Sequence, residues 1–522
     1  MKKNDEFELV ITDIGNDGEG IGKHEGMTFF VKGAVVGDRI LAGATKLKKS
    51  YGYARLVKVI APSPFRVVPP CPIAGKCGGC QLQNISYEKQ LEIKESKVYN
   101  DIVRLGKVDP ARINQRTVPM IENENSVIFH KIIGMDDTSH YRNKGQFPVG
   151  VDKEGKIVTG FYAGHTHSII PTEKCMIQHE LTDYIMKTVR DFMEKYKIPA
   201  YEEPAKESND KEAAPNTFKK NKAVKSYSIN EKTSRGLVRH VLTRVGFRTH
   251  EVMVCIVING QELPHSESLK DMLEACINEY NRKFSGNIEE KYSLSSFSTN
   301  INTENTNVIL GNQVKTLYGK PYITDYIGNL EYRISPLSFY QVNPVQTLKL
   351  YSTALEYAQK KENTQIFDDL DGKIIWDLYC GIGTISLFMA QKAKKVYGVE
   401  IVPQAIEDAK KNAEINGITN AEFICGAAEE VMPAKFAENP DLRADIIVVD
   451  PPRKGCEETL LETIVKMEPE RIVYVSCDPA TLSRDIAYLE QQGYILKEVQ
   501  PVDQFPFSAH VETVVQLSKG DI

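Results

Sequence analysis

The chain has 522 residues, 41% of them hydrophobic, and carries a formal charge of −5 at neutral pH. This length accommodates two to four domains, and the slightly acidic balance argues against a general nucleic-acid coating protein without excluding a local basic groove. No apolar run approaches the roughly 20 residues that span a bilayer, and the polar N-terminus lacks the apolar segment of a secretory signal. We therefore expect a soluble, cytoplasmic protein with no membrane partner and no obligate protein partner.

The segment from 7 to 60 is expected to form short strands joined by glycine-rich turns. Four stretches carry β-branched or aromatic residues: 7–12, 27–31, 38–42 and 53–59. Several strands in so few residues indicate a small antiparallel barrel. Its later half is basic through Lys46, Lys48, Lys49, Arg55 and Lys58. From charge alone a solvated strand face is the simpler interpretation of these side chains, and an RNA-backbone surface is the alternative.

The middle of the chain mixes helices and strands. Helices are expected at 86–105 and 179–196, and strands at 145–149, 156–161, 236–244 and 251–258. Residues 202–222 are charged and nearly free of large apolar groups, so burial cannot repay the entropy of ordering them. We interpret this segment as a mobile insertion.

From about residue 370 the pattern alternates between strand and helix. Apolar strands are expected at 373–379, 395–400, 445–450 and 471–476, and helices at 384–392, 403–416, 457–467 and 480–491. This alternation predicts a doubly wound parallel sheet with helices on both faces.

Three motifs of this region follow strands, and parallel sheets bind ligands at the carboxyl ends of their strands. Asp377-Leu-Tyr-Cys-Gly-Ile-Gly-Thr opens a helix, and its glycines would let a ligand approach the backbone. Its spacing differs from the dinucleotide Gly-x-Gly-x-x-Gly pattern. Glu400 ends the next strand, where a carboxylate can accept ribose hydroxyls, and Asp450-Pro-Pro-Arg ends a third. Each motif alone is compatible with an ordinary turn, and together they favour a nucleoside ligand.

Most of the ten cysteines are expected to be buried and inert. No ligand spacing relates four of them, which are Cys255, Cys276, Cys425 and Cys456. Cys71, Cys77 and Cys80 form a close triplet, which with a distant fourth thiolate suits either zinc or an iron–sulfur cluster. Cys477 ends a strand of the parallel sheet, so its thiol is either a buried structural group or a nucleophile in the ligand crevice.

These motifs resemble those of the RNA uracil-5-methyltransferases and occur in that family's order. Ser338-Phe-Tyr-Gln-Val-Asn and His510-Val-Glu-Thr-Val add to the resemblance, which spans nearly the whole chain. The resemblance implies that Cys477 is the nucleophile and Glu512 the proton-abstracting base. It implies S-adenosylmethionine as methyl donor, with five residues that hold it or line its site: Gln341, Tyr379, Thr384, Glu400 and Asp450. Many members meet the adenine amino group near the position of 426–428, which is Gly-Ala-Ala here, so we assign no adenine contact there.

The implied chemistry gives a reason for a thiol. Carbon 5 of uracil is too poor a nucleophile to take a methyl group directly. Addition of the Cys477 thiolate to carbon 6 makes an enolate whose carbon 5 can attack a methyl sulfonium. Glu512 must then remove the carbon 5 proton from within hydrogen-bonding distance, so that the thiol can leave. The target base has to leave its stack, so a uridine flipped out of a loop is the expected substrate.

The N-terminal half extends the resemblance. Residues 7–60 resemble the TRAM domain, a small RNA-binding barrel, which favours the RNA-binding interpretation of its basic face. Cys71, Cys77 and Cys80, with Cys175, resemble the ligands of a [4Fe–4S] cluster that would be structural or RNA-positioning, because methyl transfer needs no electron. Transfer-RNA enzymes of the family generally lack both features, so the chain resembles the branch that methylates 23S ribosomal RNA. The alternatives are the same reaction on tRNA and an iron–sulfur RNA-binding protein without methylation activity.

The expected fold class is α/β, with a C-terminal doubly wound Rossmann-like methyltransferase sheet, an N-terminal antiparallel barrel and a central α+β domain. The expected domains are the barrel at 1–62, a central iron–sulfur and RNA-binding domain at 63–85 and 118–330, and the methyltransferase domain at 86–117 and 331–522.

Overall fold

The structure is a computed structural model, and it describes residues 1–115, 125–164, 166, 168–202, 235–284, 290–360, 370–439 and 442–520. The chain divides into two compact units, which are Met1–Tyr141 with Tyr326–Arg333 and Ser338–Ile522, and Arg142–Asp325 with Ile334–Leu337. The insertion expected at 202–222 lies outside the described residues from 203 onward, and the expected domain boundaries stay predictions. Within the described ranges, no helix is both long enough and apolar enough to cross a membrane.

The N-terminus forms a closed five-stranded barrel, as the sequence predicts. Its strands are β1 (Glu6–Ile14), β2 (Gly20–His24), β3 (Met27–Lys32), β4 (Arg39–Leu47) and β5 (Tyr51–Ala61). Alternate side chains point inward, and Phe7, Leu9 and Phe29 form part of the barrel core. The sequence predicted an antiparallel barrel, whereas β3 and β5 pair in parallel, and it predicted only a glycine turn around β2. A side chain on Gly22 would lie 2.4 Å from the Val10 carbonyl oxygen, so glycine there permits close strand packing.

A helix and two short strands follow the barrel: α1 (Tyr87–Arg104), β6 (Ile113–Gln115) and β7 (Val127–Phe129). The predicted helix at 86–105 is confirmed to within one residue at each end. Lys94 of α1 forms an ion pair with Asp503 at 2.6 Å, and both side chains are buried. Removal of one partner of a buried pair leaves an uncompensated charge. The pair therefore fixes α1 against the chain segment around residue 503.

The second unit consists of a seven-stranded sheet and two helices. Its elements are β8 (Lys144–Val151), β9 (Ile157–Tyr162), β10 (Ile169–Pro171), α2 (Glu180–Tyr196), β11 (Val238–Val245), β12 (Glu251–Ile258), α3 (Ser266–Phe284), β13 (Ser293–Ile301) and β14 (Gln313–Gly319). The strand order is β10-β9-β8-β11-β12-β13-β14, and only β12 and β13 run parallel among the described pairs. The predicted α2 is confirmed, whereas α3 was not predicted. Its buried face is narrow, and charged residues stand between the buried positions in the sequence. The buried residues of α3 are Leu269, Leu273, Ile277, Tyr280 and Asn281.

A two-stranded hairpin of β15 (Ile323–Ile327) and β16 (Leu330–Ile334) precedes the last part of the chain. That part completes the first unit with four-residue to nine-residue strands: β17 (Ile374–Leu378), β18 (Lys395–Glu400), β19 (Ala421–Cys425), β20 (Ile446–Val449), β21 (Arg471–Ser476), β22 (Tyr494–Val502) and β23 (Glu512–Lys519). Its helices are α4 (Pro344–Gln359), α5 (Thr384–Ala390), α6 (Pro403–Ile415), α7 (Ala428–Glu438), α8 (Glu458–Met467) and α9 (Pro479–Gln491).

These strands join β6 and β7 in a nine-stranded sheet of order β19-β18-β17-β20-β21-β23-β22-β7-β6. The five strands from β19 to β21 run parallel, so the predicted doubly wound core is confirmed. β23 inserts antiparallel between β21 and β22, an arrangement that the sequence did not predict. Trp376 and Tyr474 are fully buried in the core beside this sheet, and the predicted α/β fold class with its N-terminal barrel is confirmed.

Candidate active site

The turn between β17 and α5 leaves open space beside its backbone. Tyr379, Gly381 and Gly383 have φ values of +67°, +55° and +82°. A side chain on Gly383 would lie 2.9 Å from the Phe423 ring, so this glycine serves packing. A side chain on Gly381 would meet nothing within 4 Å. The left-handed conformation of Tyr379 costs on the order of 1–3 kcal/mol, and such strain is concentrated at functional sites. The turn therefore offers room for a ligand at Gly381.

Glu400 is held next to this open space. One carboxylate oxygen accepts a hydrogen bond from the Gly381 amide at 3.3 Å, and the other accepts one from the Val402 amide at 3.0 Å. An ionised carboxylate has about four acceptor positions, so both oxygens can still accept hydroxyl groups. The side chains that follow are apolar and exposed, with Ile401 68% and Val402 49% accessible. A fixed carboxylate next to an apolar surface suits the ribose and base of a nucleoside.

Gln341 and Thr384 are brought together by a residue that the sequence did not single out. The hydroxyl of Tyr351, on α4, lies 3.1 Å from the Thr384 Oγ1 and also shares a hydrogen bond with the Gln341 side chain. Tyr332 donates to the Thr384 carbonyl at 3.1 Å. Burial, with Asp450 as the next cause, raises the pKa of Tyr351 far above its usual value. Gln341, Thr384 and Asp450 therefore belong to one polar group around the buried Tyr351 side chain.

Two carboxyl groups at the ends of β17 and β20 carry protons more readily than usual. Burial raises the pKa of Asp377 to about 7 even though Ser386 donates a hydrogen bond to it. Burial also raises the pKa of Asp450 to about 7. The negative charges of Asp450 and Glu400 each help to raise the pKa of Asp377, so the three carboxyl groups are close enough to interact electrostatically. Such perturbed groups are concentrated at functional sites.

Cys477 and Glu512 come together because of the strand register. β21 and β23 are antiparallel with Ser476 opposite Thr513, so the next pair in this register is Cys477 opposite Glu512. Burial, then Glu512 and Asp450, raises the pKa of the Cys477 thiol to about 12. Burial, then Asp450, raises the pKa of Glu512 to about 8. A thiol and a carboxyl that the sequence placed 35 residues apart thus occupy one site.

Arg453 and His510, which the sequence analysis did not choose as site residues, complete this group. Arg453 lowers the pKa values of both Cys477 and Glu512 and opposes the effect of burial. Its Nη2 lies 3.4 Å from Nε2 of His510. Burial, then Arg453, lowers the pKa of His510 to about 4, so this imidazole is neutral near pH 7. Both residues lie inside the quoted family motifs, and that position is the signal that could have identified them.

The strand that begins with Glu512 is held by residues of the N-terminal part of the first unit. The amides of Gln81 and Leu82 both donate to the Phe507 carbonyl at 2.9 Å. The Phe507 amide donates to the side-chain oxygen of Gln90 at 3.0 Å. Phe507 itself has φ +68°. The position of the Glu512 carboxyl therefore depends on contacts more than 400 residues away in sequence.

The candidate cluster cysteines are distributed over both units. Cys71, Cys77 and Cys80 lie in one loop of the first unit and are partly buried, and Cys175 lies in the second unit. Burial, with Cys71 among the minor causes, raises the pKa of Cys77, whose sulfur accepts the Gly79 amide at 3.4 Å. In the part of the chain that the structure describes, no three His, Cys, Asp or Glu side chains form a group that could hold a metal ion. The four-cysteine cluster therefore stays a prediction.

Proteins similar to this chain are RNA methyltransferases. A family model described as tRNA (Uracil-5-)-methyltransferase matches residues 312–520, and the TRAM domain model matches residues 2–57. An uncharacterized RNA methyltransferase of Clostridium tetani is 42% identical over 99% of this chain and 97% of its own length. One from Halalkalibacterium halodurans is 42% identical over 99% of this chain and 98% of its own length.

A solved structure shares the fold. The crystal structure of Pyrococcus abyssi tRNA (uracil-54, C5)-methyltransferase in complex with S-adenosyl-L-homocysteine has a TM-score of 0.68 and 24% sequence identity, and the match covers 98% of this chain and 100% of that chain. The family motifs, the TRAM barrel and relatives that match over nearly the full length agree. The chain therefore belongs to the RNA uracil-5-methyltransferase family.

Proposed function

We propose that the chain transfers a methyl group from S-adenosylmethionine to carbon 5 of a uridine in 23S ribosomal RNA, with Cys477 as covalent nucleophile and Glu512 as base. The observation that carries this proposal is the register of β21 and β23, which ends with Ser476 opposite Thr513 at the carboxyl end of the parallel sheet and so brings the next residues, Cys477 and Glu512, together. Glu512 is accordingly the first charged group among the causes that raise the pKa of the Cys477 thiol. A carboxylate beside a thiol at that edge suits a reaction that needs both a nucleophile and a proton acceptor on one base.

Cys477, Glu512 and Arg453 have different roles in the proposed reaction. Cys477 gives its proton to the solvent, and its thiolate adds to carbon 6 of the uracil, which places negative charge on the enolate. Carbon 5 would then take the methyl group from the sulfonium of the donor, whose methyl–sulfur bond would break to leave the neutral thioether. Glu512, as a carboxylate, accepts the carbon 5 proton, and the carbon 6–sulfur bond breaks to restore the double bond and the thiolate. Arg453 supplies positive charge near both groups, which favours their ionised forms.

The turn between β17 and α5 fits the methyl donor. A side chain on Gly381 would meet no atom beyond its chain neighbours within 4 Å, and Glu400 would accept the ribose hydroxyls of the donor. Thr384, Gln341 and Asp450 would line the remainder of the site, which the polar group around Tyr351 orders. Bound S-adenosylmethionine would supply an electrophilic methyl group there.

The choice of ribosomal RNA rests on the TRAM barrel and the four cysteines. Transfer RNA is the second candidate, and one observation favours it. The Pyrococcus abyssi enzyme, described as acting on tRNA uracil 54, shares its fold over 98% of this chain. A fold match of that extent leaves little of this chain unmatched, so the presence of the barrel does not by itself separate the two substrates.

Methylation of the two RNA classes in parallel tests the substrate. Unmodified 23S ribosomal RNA and unmodified total tRNA would each be incubated with the full chain and radiolabelled S-adenosylmethionine, with Cys477→Ala as the matched control. We expect 5-methyluridine in 23S RNA and none with the variant. Product in tRNA alone would transfer the proposal to the second candidate. Absence of product in both, with the donor bound, would leave an RNA-binding protein without methylation activity.

We also propose that Cys71, Cys77, Cys80 and Cys175 hold a [4Fe–4S] cluster. Four thiolates are the donor set of such a cluster, and the Gly79 amide that reaches the Cys77 sulfur is of the kind that stabilises cluster sulfurs. Anaerobically purified protein should contain iron and acid-labile sulfide. Cys77→Ser should remove both, whereas Cys425→Ser, at an exposed cysteine, should retain them. Protein that contains zinc and no sulfide would contradict this assignment.

A further inference from the structure

The outer face of the N-terminal barrel carries a cluster of three aromatic rings. On β3 and β5 the buried positions include Phe29 and Ala54, and Phe30, Tyr51 and Tyr53 alternate with buried neighbours. Their rings therefore point away from the barrel core. Phe30 is the cross-strand partner of Tyr53, with ring centroids 5.7 Å apart. The Tyr51 ring lies 6.0 Å from that of Phe30 and 5.8 Å from that of Tyr53.

The rings form a continuous and partly accessible surface. Tyr53 is 40% exposed, and Phe30 and Tyr51 are partly buried. Large contiguous apolar side chains on the outside of a soluble domain mark a surface that another molecule covers. The arrangement is also rigid, because the three side chains come from two directly paired strands.

Lysine side chains frame the aromatic rings. Lys46 is the β4 partner of Tyr53, and Lys32 follows Phe30 by two residues on the same face of β3. Lys23 lies on β2, two residues from the position that pairs with Phe30. All three lysines are exposed, and within the described ranges none of them forms an ion pair with an acidic side chain.

The acidic side chains of the barrel strands are concentrated on a different strand. Glu6 and Glu8 project outward from β1, where Glu6 pairs with Arg55 at 3.3 Å and Glu8 pairs with Arg39 at 3.7 Å. The carboxylates of Glu6 and Glu8 are therefore paired with arginines, whereas within the described ranges Lys23, Lys32 and Lys46 form no ion pair. A positively charged frame around π surfaces is complementary to a polyanion with flat bases.

We propose that Phe30, Tyr51 and Tyr53 form a stacking platform for unpaired bases of the substrate RNA, and that Lys23, Lys32 and Lys46 hold the adjoining phosphates. This inference rests on the proposed function, which takes the substrate to be RNA. Every base has a π face, so stacking on aromatic side chains binds single strands with little regard to sequence. None of these six residues belongs to the active site, so the platform would bind the strand that flanks the target uridine.

Paired substitutions in the full chain test the stacking. The binding of a fluorescent oligouridylate of about ten nucleotides, a length suited to one such barrel, would be measured by anisotropy. We expect Phe30→Ala and Tyr53→Ala each to weaken binding by roughly 5- to 150-fold, the value of one lost base stack. Phe30→Tyr and Tyr53→Phe keep the π face and should bind within about twofold of the unchanged protein.

The salt dependence separates the lysines from the rings. For single-stranded RNA, each lost phosphate contact lowers the slope of log affinity against log salt by about 0.7. Lys46→Gln should therefore reduce the slope by about that amount, and Tyr53→Ala should leave it unchanged. Lys410→Gln, at an exposed lysine of α6, is the matched control and should change neither affinity nor slope.

Each outcome decides the proposal. Unchanged affinity in both alanine variants overturns the platform, and it is also the result expected if this face docks a protein instead. An equal loss in Tyr53→Ala and Tyr53→Phe indicates a hydroxyl contact and likewise overturns stacking. Thermal unfolding and S-adenosylmethionine binding of each variant report its folding, and the ring-preserving and lysine variants remain decisive where an alanine variant unfolds. If the protein binds RNA through these rings but does not methylate it, only the methylation proposal is contradicted. If the protein methylates RNA and the ring substitutions do not change RNA binding, only the platform is contradicted.

Discussion

Cys477 and Glu512 are both held in their protonated forms by their surroundings. Burial and neighbouring carboxyls raise the thiol pKa to about 12 and the Glu512 pKa to about 8. The reactive form of each residue is the ionised one. These surroundings therefore keep the thiol unreactive at neutral pH, and positive charge from Arg453, together with the RNA base, has to favour the thiolate.

The single-turnover rate at which methylated RNA is released from its bond to Cys477 should rise with pH. Glu512 accepts a proton only as a carboxylate, and its pKa is about 8. Below that pH the rate should therefore rise about tenfold per unit and then level off. Rapid-quench samples with radiolabelled donor, run on denaturing gels, would separate released methylated RNA from RNA still bonded to Cys477 and so record the profile. Glu512→Gln should remove the rise and lower the rate by about 10²- to 10⁴-fold. A flat profile below pH 8 in the unchanged protein would exclude this role for Glu512.

RNA that contains 5-fluorouridine at the target should trap the protein. Fluorine on carbon 5 cannot leave as a proton, so the thioether between Cys477 and carbon 6 should persist through denaturing electrophoresis. Cys477→Ala should give no adduct. Cys425→Ala, which removes an exposed cysteine, should give as much adduct as the unchanged protein. Active enzyme that forms no adduct would contradict the covalent mechanism.

Glu400→Ala should weaken the binding of the methyl donor. Hydrogen bonds to a charged group contribute about 1.5–3 kcal/mol, so titration calorimetry should show a loss of roughly 10- to 150-fold in affinity for S-adenosylmethionine. Glu407→Ala removes an exposed carboxylate that pairs with Lys410 on α6 and should leave the affinity unchanged. Equal affinities of both variants would mean that Glu400 serves only to hold the turn.

Among the elements, those buried on both faces were the easiest to predict. The bounds of β18 and β21 agree with the sequence, because interior parallel strands are continuous apolar runs with clear ends. β19 was missed since it is an edge strand with only one buried residue. The pairing of β23 between two earlier strands has no local signature, because register depends on long-range packing.

The same distinction applies to the site. Cys477, Glu400 and Asp450 follow strand ends, and the sequence could place them at one edge of the sheet. Tyr351 could not be found, because it reaches the site from α4 through a tertiary contact with Thr384. No motif contains it, and its fully buried ring resembles an ordinary core residue.

Helix α1 should depend on its single buried ammonium group. Lys94→Met leaves the Asp503 carboxylate buried without its ion pair, which should lower the free energy of unfolding by about 3–5 kcal/mol. Lys410→Met breaks an exposed pair and should cost less than about 1 kcal/mol. Denaturant unfolding of both variants gives the comparison. Equal small losses would mean that water replaces the lost partner of Asp503.

At the scale of the whole molecule, the family-model match at 312–520 covers fewer residues than the compact unit that contains the active site, which also includes Met1–Tyr141. α1, β6 and β7 come from earlier in the chain. β6 and β7 complete the sheet, and Gln90 of α1 holds the loop before Glu512. The barrel, by contrast, has its own apolar core.

Two truncations should therefore behave differently. A fragment of 312–520 should fail to fold cooperatively, because it loses two sheet strands and the buried Lys94 pair. A chain that lacks only the barrel, residues 1–62, should still bind S-adenosylmethionine and should lose affinity for RNA. Thermal unfolding and calorimetry would measure both. A short fragment that melts cooperatively and binds the donor would contradict this dependence.

The two amides that hold the Phe507 carbonyl also have a consequence for synthesis on the ribosome. Residues 81 and 82 leave the ribosome early, whereas β23 emerges after every other strand of its sheet and must insert between two strands already made. N-terminal segments fold first during translation. Until β23 is made, the nascent sheet therefore lacks the strand between β21 and β22, and the active site lacks its catalytic carboxyl, Glu512. Catalytic competence is then acquired in one late step, so a partly synthesised chain cannot modify the RNA around it.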